Sequence, residues 1–360
     1  MHFPAFLLLL LAPALSHRIL LADPLSPAAV AVLAASGAHI TQRHPTPAEL
    51  DAGCLADFDA VAVRSATRLS KGALHRGAAG RLRVVARAGV GLDNIDLDAA
   101  RTALLYVLNT PAASTQSVVE LTLALLLASA RRIPAADRAL QLEGRWLKGE
   151  LPGHELAGKA LGLLGFGRIA RGVARLASAL GMQVHAFSPS LNLSTCEALG
   201  VRHHASAESL FAACTHISVH CGKTESTAGL VDAAMLRRMP HVGADGTQCG
   251  AHLVNVARGG VVLEADVAEA LCGQVLSSYA ADVYETEPLP AASPLLGDLG
   301  SDSASSMHGS MPGFIGTPHI GAQTAEASAR VGTQLAEAML EALAGRRPAE
   351  GVVCAPEPSA

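Results

Sequence analysis

From Arg18 onward, short apolar runs alternate with longer stretches whose apolar positions recur at helical spacing. Ile19–Ala22 predicts a strand and Ala28–Ser36 a helix. Val61–Val63 and Val84–Ala86 predict further strands, with Gly72–Ala79 helical between them. Leu105–Leu108 is another apolar run, closed by Asn109-Thr110-Pro111, where a helix cannot simply continue. Such alternation implies a parallel sheet with helices on both faces. Ser114–Arg131 is apolar nearly all round, which predicts a helix buried against a second domain or subunit.

The pattern then breaks at Leu161–Ala170, Leu-Gly-Leu-Leu-Gly-Phe-Gly-Arg-Ile-Ala. An apolar run meets Gly165 and Gly167 and becomes helical through Leu180. This is how a strand, a glycine turn and a helix N-terminus look when they cradle a pyrophosphate. Gly165 supplies the turn, Gly167 admits the phosphates, and Ala170 stands where a third glycine is usual. Strand-like runs recur at Val184–Phe187, Ile217–Val219, Leu253–Val256 and Tyr279–Val283, with helices at Ala233–Met239 and Glu264–Leu271 between them. The fold class is therefore α/β, with a doubly wound parallel-sheet nucleotide-binding domain. His241–Cys249 and Asp298–Gly313 read as insertions, the second a loop, and both are expected to alter the rim of the cleft. Gln323–Ala344 is a final helix stopped by Gly345, Arg346, Arg347 and Pro348.

Composition narrows the class. The 360 residues are half apolar, enough for about two domains, with few aromatics. A net charge of −4 gives no footprint for nucleic acid or an anionic membrane. Seven cysteines without a Cys-x-x-Cys pair argue against a disulfide framework and against a zinc site, so no metal and a reducing compartment are expected. Trp146, the single tryptophan, is expected to anchor packing. Phe3–Leu15 is apolar and followed by small residues, but it is too short to span a bilayer and lacks a basic residue before it. Residues 1–16 read equally as part of a leader or as a start ahead of the domain. The compartment is then cytoplasmic, or an organelle such as the plastid.

Three stretches at strand ends carry candidate chemistry: Asn255–Gly260, Asp282–Pro288 and Thr317–Gly321. Ligands of open parallel sheets bind beyond the carboxyl ends of strands. There His319 would take a hydroxyl proton while hydride leaves for a nicotinamide, a role suited to a group with an unperturbed pKa of about 6.5. Glu287 would hold the imidazole and stabilise its protonated form. Arg258 would bind the substrate carboxylate with its planar fork.

These stretches, together with Val63–Thr67, Ala86–Asp96 and Glu155–Lys159, resemble the D-isomer-specific 2-hydroxyacid dehydrogenase family from about Arg18 to Leu343. Within it, Arg64-Ser65-Ala66-Thr67 and Arg87-Ala88-Gly89-Val90-Gly91-Leu92-Asp93-Asn94 look most like the members that oxidise D-3-phosphoglycerate. The resemblance implies Arg258, Glu287 and His319 as the catalytic set. It implies a Rossmann domain (113–317) inserted in a flavodoxin-like substrate domain (17–112 and 318–348), hinge closure over the cleft, and a tail at 349–360. It places Arg64, Arg87, Ala88 and Gly89 near the substrate. Cofactor contacts are implied at Gly165, Gly167, Arg168, Ile169, Ser188, Cys221, Ala257 and Asp282.

The family's acidic ribose anchor is replaced by Ser188, which can still bond a ribose but no longer repels a 2′-phosphate. No Arg or Lys follows before Arg202, so NAD is expected, with NADP open. No regulatory extension of the kind long members carry follows Ala360, so serine feedback is not expected. The resemblance further implies a homodimer or homotetramer acting on a small 2-hydroxy or 2-oxo acid. Alternatives are a glyoxylate or hydroxypyruvate reductase, and a nucleotide-sensing corepressor of the same fold.

Overall fold

The computed structural model describes residues 16–191, 193–296 and 311–356. The candidate leader, except Ser16, and residues 298–310 of the second insertion lie outside the described residues. The chain forms two compact units. One runs to Ser114 and resumes at Ala325, and the other spans Thr115–Thr324.

In the first unit, strands β1 (Arg18–Leu21), β2 (His39–Gln42), β3 (Ala60–Val63), β4 (Val84–Arg87) and β5 (Tyr106–Asn109) pair in parallel in the order 2-1-3-4-5. That is the flavodoxin-like order. Alternate residues feed two separate cores. Leu20, Val61, Val63, Val85 and Val107 pack on one face, and Ile19, Leu21, Ala60, Ala62, Val84 and Leu108 on the other. A strand buried on both faces must be apolar throughout, which is why β3 reads Ala-Val-Ala-Val. The helix Pro27–Ala35 starts where the Ser26 side chain accepts a bond from the Ala29 N–H. It packs beside the helix Ala325–Leu343. Gly332 permits the close approach, since a Cβ there would lie 2.3 Å from Ser26 Oγ.

Residues 349–360, set apart in the sequence as a tail, include a strand. Val352–Cys354 pairs antiparallel with β5, with one irregularity in register, and covers the edge that β5 would otherwise expose.

The second unit holds β6 (Ala160–Leu164), β7 (Gln183–Phe187), β8 (Arg202–His203), β9 (His216–Val219), β10 (His252–Asn255), β11 (Ser278–Ala281) and β12 (Phe314–Gly316). All pair in parallel, in the order 12-11-10-9-6-7-8. Counted from β6, this is the doubly wound Rossmann order, and its reversal of direction falls between β6 and β9. One core gathers Leu164, Ile217, Val219, Leu253 and Tyr279 with Phe211 and Leu236; the other gathers Leu161, Leu163, Val184, Val254 and Ala280 with Val119, Leu126 and Val173.

Three expectations change. The helix Thr115–Ala130 buries one side, through residues such as Val118, Leu125 and Leu126, while Leu127 is exposed. Trp146 is not a buried packing anchor: it is 77% exposed. The insertion His241–Cys249 does not reach the rim beyond the strands' carboxyl ends. It precedes β10, so it sits at the amino end of that strand. There Val242 bridges Gln248, and Asp245 pairs at 2.7 Å with the Lys159 ammonium, which is almost fully buried. No helix among the described residues is long and apolar enough to cross a membrane.

His185 on β7 is buried, and its Nδ1 lies 2.9 Å from His204 Nε2. Burial, and then the neighbouring His204, push its pKa down to about 4. Below about pH 6.5 the unfolded chain therefore binds a proton that the folded chain refuses until about pH 4, and stability falls across that window. Melting curves from pH 7 to 4 should show this loss, up to about tenfold in the folding ratio per pH unit from this group. His185→Gln should flatten the slope, and an unchanged slope would exclude His185 as its source.

Candidate active site

The glycine turn is built for close approach. β6 is buried along its whole length, and its Leu164 carbonyl accepts from His220 N. Gly165 follows with φ +93°, and a Cβ there would meet Cys221 N at 2.7 Å. Only glycine combines that dihedral with that clearance. Gly167 then caps the helix Arg168–Ala179, with no side chain bonding the first-turn N–H groups and open space where a Cβ would be. Those donors, those of Arg168 and Ile169 included, are left for an anion at the positive end of the helix. The buried methyl of Ala170 fills the third position. Ser188 directly follows β7, and Cys221 lies just beyond β9, its thiol pushed up by burial. The cradle thus fits a dinucleotide pyrophosphate.

The three chemical stretches follow β10, β11 and β12, which are neighbours in the sheet. After β10, buried Asn255 shapes the turn: its Oδ1 accepts from Ala257 N and its Nδ2 donates to the Arg258 carbonyl. Gly259 is irreplaceable, because a Cβ would fall 1.6 Å from the Tyr284 carbonyl oxygen. After β11, Tyr284 donates its hydroxyl to the carbonyls of Ala281 and Thr317, stitching two loops together. Burial, then Asp282, push that phenol up to about 12. The Tyr284 N–H donates to Glu287 Oε1, and Glu287 Oε2 lies 2.7 Å from His319 Nδ1. His319 and Glu287 both remain part-exposed.

His319 has φ +54°, a left-handed backbone uncommon outside glycine. The clamp that holds it is Asp282, buried to 2%. Its Oδ1 accepts from Thr317 Oγ1 at 2.7 Å and Ile320 N at 2.8 Å, and its Oδ2 from Gly321 N at 2.8 Å. The family resemblance implies a cofactor contact at Asp282; three of its bonds go to the histidine turn.

Of the remaining residues, Arg64 and Arg87 follow or end the adjacent strands β3 and β4 of the first unit, so one sheet edge carries both. Buried Asp23 positions the first by accepting from Arg64 N and from Thr67 N and Oγ1. Gly89 has φ +139°, and a Cβ there would collide with the Arg87 guanidinium. Asn255, Tyr284, Thr317 and Asp23 carry no signal in the sequence that marks them as positioning residues. All four hold other residues, and only the bonds they make identify them.

Comparison with known proteins decides the family. Residues 123–321 match the model for the NAD binding domain of D-isomer specific 2-hydroxyacid dehydrogenases. The chain belongs to this family. It is 39% identical over 329 residues to a D-3-phosphoglycerate dehydrogenase of Mycobacterium bovis, covering 91% of this chain and 57% of that one. A hydroxypyruvate reductase of Thermotoga maritima is 37% identical over 332 residues, covering 91% of this chain and 98% of its own. The chain thus spans little more than half the length of the phosphoglycerate dehydrogenases it matches. A crystal structure from Thermus thermophilus aligns with a TM-score of 0.78 at 31% identity, over 93% of this chain and 100% of that one. An NADPH-dependent glyoxylate/hydroxypyruvate reductase from Sinorhizobium meliloti, in complex with NADP and malonate, gives 0.78 at 25% identity over 95% and 98%. Thr115–Thr324 therefore contains this family's NAD-binding domain.

Asp282→Asn exchanges one carboxylate oxygen for a donor facing backbone N–H groups, so the His319 turn should loosen. Misplacement of a catalytic group by about 1 Å costs on the order of 100-fold in rate. Steady-state kinetics should show a loss of that size in kcat with nucleotide affinity retained. An unchanged kcat would mean the clamp does not set the histidine.

Proposed function

We propose that the protein oxidises a D-2-hydroxy acid to the 2-oxo acid with NAD, and that the acid is D-3-phosphoglycerate. The product would be 3-phosphohydroxypyruvate, a serine-biosynthesis intermediate. The observation that carries this reading is the 2.7 Å contact of Glu287 with His319 Nδ1, one strand from the Arg258 turn and on the sheet that holds the dinucleotide cradle. When bound, the nicotinamide supplies the hydride acceptor. His319, with Nδ1 turned to Glu287, offers Nε2 to the substrate hydroxyl and removes its proton. Glu287 fixes the ring and stabilises the imidazolium that forms. Arg258 binds the carboxylate and so orients C2. In reduction His319 returns the proton.

The phosphate is the finer part of the proposal. Arg64 and Arg87 on neighbouring strand ends suit a phosphoryl group, and the backbone at Ala88 and Gly89 suits the carboxylate. The mycobacterial relative's name supports the same substrate. A second reading, reduction of hydroxypyruvate or glyoxylate, is favoured by the Thermotoga relative, which this chain covers almost end to end. Ser188, in place of an acidic ribose anchor, leaves NADP admissible.

Turnover of 3-phosphoglycerate, glycerate, hydroxypyruvate and glyoxylate, each with NAD(H) and NADP(H), tests both readings. The expected order puts the phosphorylated acid first with NAD; a large margin for the unphosphorylated acids would transfer the assignment to the reductase. His319→Ala should abolish turnover and leave NADH binding intact.

We further propose that the protein is a homo-oligomer joined through the second unit. Leu127, Ile133, Leu140, Leu142 and Trp146 form an exposed apolar series, with Leu142 at 79% and Trp146 at 77%. Apolar residues exposed together in one segment suit an association surface. Leu142→Asp with Trp146→Asp should convert dimers to monomers in sedimentation velocity; a mass unchanged from the parent would place the interface elsewhere.

A further inference from the structure

At the amino edge of the nucleotide-binding sheet, away from the chemistry already described, three histidines converge. His216 opens β9 and His252 opens β10, and the parallel register sets them directly opposite each other. His154, on the loop before β6, meets both. One ring nitrogen of each lies within 4.8 Å of the others, and His154 Nε2 is 3.0 Å from His216 Nε2. The ring centroids are 4.6, 4.7 and 5.1 Å apart. Two imidazoles on a tetrahedral zinc ion, with bonds of about 2.05 Å, would hold their nitrogens about 3.3 Å apart. The observed pair is a few tenths of an ångström from that.

The surrounding bonds fix the orientation of the two buried rings. His252 Nε2 lies 2.8 Å from the Cys249 carbonyl, which can only accept, so that nitrogen carries the proton; Nδ1 lies 2.7 Å from Ser278 Oγ, whose hydroxyl must turn away before Nδ1 can meet a cation. His216 Nδ1 lies 3.0 Å from Thr215 Oγ1, leaving Nε2 toward His154. A ring N–H donated to a carbonyl or hydroxyl is the usual outer support of a metal-bound histidine. The nearby Lys159 ammonium is engaged by Asp245.

We propose that His154, His216 and His252 bind one divalent cation of the zinc type, tying the 151–156 loop to the amino ends of β9 and β10. Imidazole donors select Zn2+ or Co2+ over Mg2+ and Ca2+, which take oxygen ligands. This goes beyond the cysteine spacing, which pointed to no metal, and it does not depend on the substrate assignment. His154 is the residue to vary, being on a loop and only half-buried.

The experiment titrates Co2+, then Zn2+, into tag-free, chelator-stripped full-length protein. The expected result is one Co2+ per chain with visible d–d absorption, displaced by Zn2+, and a raised melting midpoint that Mg2+ does not reproduce. His154→Ala should weaken Co2+ binding at least about tenfold while NADH binding is kept. His154→Cys should restore binding and add a thiolate-to-cobalt band. Equal Co2+ affinity in the parent and His154→Ala, or no stoichiometric binding by the parent, would overturn the proposal and leave a hydrogen-bonded histidine cluster. Loss of Co2+ binding in His319→Ala would also overturn it, by moving the ion to the other edge of the sheet.

Discussion

A single buried carboxylate holds the His319 turn in place. Asp282 stands just past the end of β11 and gathers Thr317, Ile320 and Gly321 from the segment after β12. Without those acceptors nothing in the local sequence would keep His319 at positive φ, a conformation that costs energy for a residue with a Cβ. The strain is tolerated because Asp282 N is itself tied to the Asn255 carbonyl on the next strand. Asn255 shapes the Arg258 turn as well. One chain of bonds therefore runs from the Arg258 turn through Asn255 and Asp282 to the His319 turn. The stretches that carry Arg258, Glu287 and His319 are positioned by one another as much as by the sheet.

Clearance is the second constraint. Parallel strands deliver their loops side by side, so backbone must pass close to backbone at the carboxyl rim. Gly165 against Cys221 and Gly259 against Tyr284 are two places on the nucleotide-binding sheet where backbone leaves no room for a side chain. The first makes room for a phosphate-binding turn, and the second lets the Arg258 loop lie on the Glu287 loop.

Much of this is legible in the sequence because it is local. Fully buried strands such as β3 and β6 are short continuous apolar runs, and the glycine turn and the Arg, Glu and His stretches each occupy a few consecutive residues. The edge strands β2, β8 and Val352–Cys354, part-exposed or exposed, carry no comparable pattern, and the sequence does not reveal them. Trp146 misleads because apolar character alone does not place a residue in the core: it is 77% exposed. The positioning residues are invisible for a further reason. Asp282 and Asn255 act on partners set by strand order, and the histidine cluster joins residues 154, 216 and 252 through register alone. The placement of His241–Cys249 at the amino edge comes from strand direction: in a parallel sheet, the segments that lead into strands gather at one edge and the segments that leave them gather at the other.

That polarity gives the sheet two faces toward evolution. A strand of four residues separates its ends by about 10–13 Å, so the loop ahead of β10 can lengthen without a single atom entering the reaction zone. The hairpin closed by the Val242–Gln248 bridge has the properties of a docking point for foreign sequence beside, rather than at, Asp245: its other turn residues are exposed, Asp245 pins it to Lys159, and the depth of the sheet insulates it from the rim. An affinity handle or a fluorophore spliced there would report on the folded domain while remaining a bystander to its chemistry.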